Sequence, residues 1–170
     1  MTARRARAAG APPRRAPRRA RHRRRRSWAG RLKLAGLGVV ALVALPQLGD
    51  YAMSLRPVVG CRVTQVIDGD TVALGCPGEP AGRVRLLGFD TPEVFSPGCA
   101  SEALAGALAT QKLRGLVWTG GEIEAIFRGH DRYGRRLAEL SIDGTSVAQS
   151  MIASGHARPY GGAARGGWCE

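Results

Sequence analysis

The stretch "VIDGDTVAL" (66–74) sets two carboxylates, Asp68 and Asp70, around one glycine. One acid is enough for an Asp-Gly hairpin turn. The second, Asp70, stands at the first position of the returning strand, where β-propensity disfavours it. Further along, "RLLGFDTPEV" (85–94) carries Arg85, Asp90 and Glu93, and Pro92 keeps the acids off a helix and on a stiff turn. "HDRYGRRLAEL" (130–140) adds a turn bracketed by Asp131 and Gly134, with Arg135 opening the strand that follows. Carboxylates that converge repel unless a cation joins them. A hard-oxygen set with no His or Cys nearby favours Ca²⁺, ahead of Mg²⁺. A cation beside a carboxylate and arginines suits hydrolysis of a phosphodiester: charge on the phosphorus centre is offset while a carboxylate activates water. Arginine fits better than lysine here, because its planar fork holds two phosphate oxygens at once.

Those residues need a scaffold that brings 70 beside 90. Alternation predicts strands at 62–67 and 71–75 around the Asp-Gly turn, and a third at 83–89. A loop at 90–98, with two prolines, precedes a helix over 101–117 that carries Leu104, Ala107 and Leu108 on one face. Strands at 122–127 and 135–142 flank the "RGHDRYG" turn. Ser146 with Gln149 forms a capping box for a short helix that Gly155 ends. The order β-β-β-α-β-β-α predicts a mainly β fold with helices, a five-stranded OB-fold barrel. In such a meander the start of strand two and the end of strand three share one rim, which puts Asp70 beside Asp90.

The 170-residue chain has a formal net charge of +13, but residues 1–33 hold 14 of its 26 Lys/Arg and none of its 13 Asp/Glu. The remainder is near neutral, so nucleic-acid binding by bulk charge is excluded as an argument for the body. The segment 1–33 reads as disordered and arginine-rich. The apolar run "LAGLGVVALVAL" (34–45), within a segment ending at 48, is short for a membrane span and right for a signal peptide or signal anchor. Export to a periplasm or beyond is expected, with a membrane contact through this segment if it is retained. Residues 49–59 read as a linker, 60–160 as the domain and 161–170 as a short tail.

All four cysteines follow the apolar run, and none has C-x-x-C or His spacing for zinc, so two disulfides are expected. If Asp68-Gly69 is a two-residue loop, Ile67 faces Asp70, Val63 faces Leu74 and Cys61 faces Cys76. That leaves Cys99 for Cys169, which would pin the chain end. Trp118 and Trp168 read as packing residues, and Arg128, Arg136 and Arg158 as solvated.

"DGDT", "RLLGFDTPE" and "DRYGRRLA", in that order, resemble the thermonucleases, the micrococcal (staphylococcal) nuclease family, over about residues 61–160. The resemblance implies Asp70, Asp90 and the carbonyl of Thr91 as Ca²⁺ ligands and Glu93 as general base. It implies Arg85 and Arg135 on the phosphate in the transition state, Arg132 and Tyr133 at a neighbouring phosphate, and Tyr160 near the substrate. It further implies DNA and RNA as substrates with little sequence preference, and a monomer. The family's long C-terminal helix has no counterpart. The rival from another class, a non-catalytic OB-fold that binds single strands, would need stacking aromatics and no Glu93. At 5% aromatic content the acid and arginine set favours the enzyme. A third reading is a membrane-tethered interaction domain.

Overall fold

The computed structural model describes residues 44–53, 60–163 and 166–169, with single positions 38, 40, 41 and 55. The chain divides into Met1–Leu42 and Val43–Glu170. The arginine-rich segment and most of the apolar run lie outside the described residues. Among the described residues no helix is long and apolar enough to cross a membrane.

The body opens with β1 (Arg62–Val66), β2 (Thr71–Gly75), β3 (Gly82–Leu86) and β4 (Gly88–Asp90). Helix α1 (Ala100–Thr119) follows, then β5 (Ile123–His130), β6 (Arg136–Ile142) and β7 (Thr145–Ser146). Helix α2 (Val147–Ala153) and β8 (Arg158–Tyr160) complete it. The main sheet runs β1-β2-β3-β6-β5, antiparallel except for the parallel β3–β6 pair, with β7 on β6; β4 and β8 form a second, two-stranded sheet. This curled mixed sheet is the OB-fold-like architecture expected. Its core is mostly aliphatic around one aromatic ring, with Val66, Val72, Leu74, Val84, Leu86, Phe89, Leu113 and Met151 essentially excluded from water. Ser146 caps α2 as read from the sequence, its hydroxyl accepting from the N–H of Gln149 at 3.4 Å.

Four local expectations change. The strand read as 83–89 breaks at Leu87, whose N–H bonds the Ala138 carbonyl, and the next three residues swing from the main sheet onto β8. A single strand could not pair with both sheets. The first hairpin loop has three residues, not two: the N–H of Ile67 bonds the carbonyl of Thr71, and Val66 pairs with Val72. An irregularity between Val63 and Gln65 then restores the Val63–Leu74 pairing. The two one-residue departures cancel, and Cys61 and Cys76 meet as a disulfide with Cα atoms 4.1 Å apart.

Helix α1 presents Leu104, Ala107 and Leu108 to solvent and buries Gly106, Ala109, Thr110, Leu113 and Val117. Close approach decides that face: small residues let the helix touch the loop at 92–94, where leucines would not fit. Finally, the stretch expected as a linker is helical over its first five residues, continuing from 44 to 53. Asp50 is buried there, accepting from Trp118 Nε1 (3.0 Å), Arg114 Nε (3.2 Å) and, at 3.4 Å, the N–H of Val66. Beside this satisfied carboxylate Gly49 lies against the Trp118 ring, where a side chain would collide, and apolar periodicity carries no trace of either contact.

Candidate active site

Asp70 is the last residue of the three-residue hairpin loop and not, as read from the sequence, the first of the returning strand; its N–H donates to Asp68 Oδ1 at 3.0 Å and its carbonyl accepts from Leu86 N–H at 2.7 Å. A side chain on Gly69 would come within 2.7 Å of Thr91 Oγ1, so glycine gives the loop room to lie against the 90–91 corner. Arg85 stands on β3 opposite Thr71. Its Nη1 donates to Asp70 Oδ1 at 3.0 Å, and its Nη2 lies 2.6 Å from Asp70 Oδ2 and 3.5 Å from Asp90 Oδ1. The hydroxyl of Thr71 also donates to Asp70 Oδ1, at 3.0 Å. All three charged side chains are at most 10% exposed. Asp70 and Asp90 thus share one corner, as the rim argument expected, and the Arg85 guanidinium lies between them, which it did not anticipate.

The charge balance at that corner tests whether a cation fits. Two buried carboxylates against one guanidinium leave a net charge of about −1 where water screens poorly. The donors are carboxylates with a threonine beside them, hard oxygen throughout, and Thr91 is itself buried. This set suits a hard divalent cation and disfavours zinc or copper. The corner fits the cation that the sequence implied.

Beside it opens a groove of about 900 Å³, lined by Arg85, Glu93, Arg132, Tyr133, Arg135 and Tyr160. These six come from four separated chain segments, and Asp68 from a fifth joins them. Glu93 is exposed on a loop held from behind. The Glu93 N–H donates to Glu102 Oε1 at 3.4 Å, the Gly98 N–H donates to Glu102 Oε2 at 2.6 Å, and a side chain on Gly106 would collide with the carbonyls of Pro92 and Glu93. Across the groove, Asp131 builds the turn. Its Oδ1 accepts from the N–H groups of Tyr133 and Arg135, both at 2.9 Å, and its Oδ2 from Arg135 Nε at 2.7 Å. Desolvation alone would raise the Asp131 carboxyl; the backbone and guanidinium donors of Arg135, with the Tyr133 N–H, outweigh it and hold the group below the usual carboxylate range. Arg132 and Arg135 both lie over the Tyr133 ring, at 4.8 and 5.6 Å. The Tyr160 hydroxyl donates to the Ala163 carbonyl at 2.7 Å, and both residues line the groove.

Sequence reasoning missed three supporting residues. Asp68, taken as a turn residue, lines the groove; the doubled acid in "DGD" was its signal. Glu102, buried at the first turn of α1, ties down the Glu93 loop; a helix-start glutamate is ordinarily read as a dipole partner, so spacing did not reveal it. Trp168, taken as packing, donates its indole N–H to Asp90 Oδ2 at 3.3 Å, for which the sequence holds no signal.

Fold and site together define an OB-fold-like domain with a buried carboxylate–arginine corner opening onto a groove lined by both arginines and acids. Residues 83–165 match the staphylococcal nuclease homologue family. Over those residues the chain is similar to a staphylococcal nuclease homologue. Among curated proteins the chain is 32% identical over 111 residues to endonuclease YncB of Bacillus subtilis (strain 168), covering 64% of this chain and 51% of that protein. It is 31% identical over 96 residues to the thermonuclease of Staphylococcus intermedius, covering 56% of each. The thermonuclease of Staphylococcus hyicus matches at 29% over 97 residues, 57% of each. The chain spans about half the length of these relatives.

Proposed function

We propose that this protein is a Ca²⁺-dependent nuclease that hydrolyses DNA and RNA with little sequence preference. The observation that carries the reading is the buried Asp70–Arg85–Asp90 corner opening onto a groove lined by Glu93 and Arg135. Asp70 and Asp90, with the carbonyl of Thr91, would hold the cation. When bound, a divalent cation supplies positive charge at the phosphoryl oxygens. Arg85 and Arg135 offer planar N–H forks to the same phosphate, and their stabilisation grows as charge gathers in the transition state. Glu93 accepts the proton of the attacking water as its oxygen bonds to phosphorus and the leaving oxygen departs. Arg132 and Tyr133 would engage a neighbouring phosphate. Contacts of this kind carry no base information, which is why low sequence preference is expected.

The test is hydrolysis of plasmid DNA and of single-stranded RNA by the full chain, with Ca²⁺ and with excess chelator. Cleavage with Ca²⁺ and none with chelator is expected. Undiminished cleavage in chelator would overturn the cation's role, and none under either condition would overturn the enzyme reading.

We also propose that the domain works outside the cytoplasm. Two disulfides form among the described residues, after an arginine-flanked apolar run in the sequence, and disulfides persist in oxidising compartments.

A further inference from the structure

We propose that the C-terminal tail is a working part of the cation site: Trp168 is a positioning residue that fixes the Asp90 carboxylate, and the Cys99–Cys169 disulfide keeps it in place. This rests on the reading that Asp70 and Asp90 hold a cation.

Two adjacent tail residues grip both ends of one functional loop. The loop starts at Asp90, carries Thr91 and Glu93, and ends at Cys99, the residue that precedes α1. Trp168 donates its indole N–H to Asp90 Oδ2 at 3.3 Å, and Cys169 is bonded to Cys99 with Cα atoms 5.9 Å apart. Strand register aims the tail at this point. In the β4–β8 pair Asp90 stands opposite Arg158, and the Arg158 guanidinium lies 3.7 Å above the Trp168 ring while its Nη1 donates to the Gly167 carbonyl at 2.8 Å. Arg158 is therefore a platform for the tail and not merely a solvated charge.

The chemistry of the donor matters. Asp90 has Oδ1 turned toward Arg85 and Oδ2 engaged by the indole, so the carboxylate plane is set from both sides. An indole N–H is neutral. It orients the carboxylate without cancelling its charge, and the corner keeps the net negative charge that attracts a cation. A lysine or arginine in its place would orient the group and neutralise it together. Outer partners that fix a ligating group are typically worth about 10–100-fold in metal affinity. The disulfide makes this orientation a standing feature, because the tail cannot leave while the bond is intact.

The experiment uses the full-length oxidised protein and three variants, Trp168→Phe, Cys99→Ser/Cys169→Ser and Asp90→Asn. Ca²⁺ affinity is read by calorimetry, and Tb³⁺, a luminescent stand-in for Ca²⁺, is read by emission on indole excitation. Wild type should bind Ca²⁺ and sensitise Tb³⁺, and Asp90→Asn should do neither. Trp168→Phe should lose most of the sensitised emission and bind Ca²⁺ about tenfold more weakly. The double serine variant, which keeps the indole, should show the same affinity loss. If wild type binds and Asp90→Asn does not, while both tail variants stay within about twofold of wild type, the cation reading stands and the tail's role is refuted. If wild type binds no cation, both fall. Should Trp168→Phe fail to fold, the double serine variant decides the matter by its affinity.

Discussion

Replacing Arg85 by methionine removes the guanidinium and keeps a side chain of similar reach. Asp70 and Asp90 then face each other in a corner where their side chains are only 6% and 8% exposed. Removing one partner of a buried ion pair costs about 3–5 kcal/mol, because the remaining charge is left uncompensated. Here one guanidinium serves two carboxylates, contacting Asp70 through both terminal nitrogens, so the loss should fall toward the upper end of that range. Against the roughly 5–15 kcal/mol that stabilises a domain, this is a large fraction. A cation that binds only the folded state should offset much of it, about 2.7 kcal/mol at a concentration one hundred times its dissociation constant. The variant should also bind that cation more tightly than wild type, since no guanidinium competes for the carboxylates. Urea unfolding followed by circular dichroism, in chelator and in saturating Ca²⁺, measures both quantities. Arg85→Met should be severely destabilised in chelator and gain more from Ca²⁺ than wild type gains. A variant within about 0.5 kcal/mol of wild type in chelator, the scatter of an ordinary surface substitution, would refute the coupled-carboxylate account of this corner.

Glu93→Gln should lower kcat by roughly 10²–10⁴-fold, the usual worth of a general base, with little change in substrate affinity, as read by single-turnover kinetics beside equilibrium binding. A collapse of affinity at normal saturated rate would make Glu93 a binding residue. Acid should loosen the Asp131 turn. Because donors hold the folded carboxyl below its ordinary value of 3.8, its contribution is present above that value and lost as pH falls through the depressed one. The urea midpoints of wild type and Asp131→Ala should therefore differ by a constant amount near neutrality and converge below about pH 4; a gap that persists to lower pH would refute this.

Chemistry was legible in the residue types along the chain, because a hard-oxygen and arginine set keeps its character wherever the fold puts it. Asp70, Arg85, Asp90 and Glu93 sit in or beside short, stiff segments whose local form the proline and the hairpin turn largely dictate. The element order followed from alternation and turn residues, which act over a few positions. Register did not follow in this way. The Cys61–Cys76 pairing held only because a three-residue loop and an irregularity near Thr64 cancelled, and such offsets are settled by how the whole sheet closes. The buried face of α1 went to Gly106, Ala109 and Leu113 instead of Leu104 and Leu108, since the approach of the 92–94 loop to Gly106 rewards an absent side chain. Asp50 on Trp118, Glu102 on Gly98 and Trp168 on Asp90 join residues 68, 4 and 78 positions apart. The two long-range contacts are single polar links made after the backbone is in place. They have no periodicity, and only the tertiary structure could decide them.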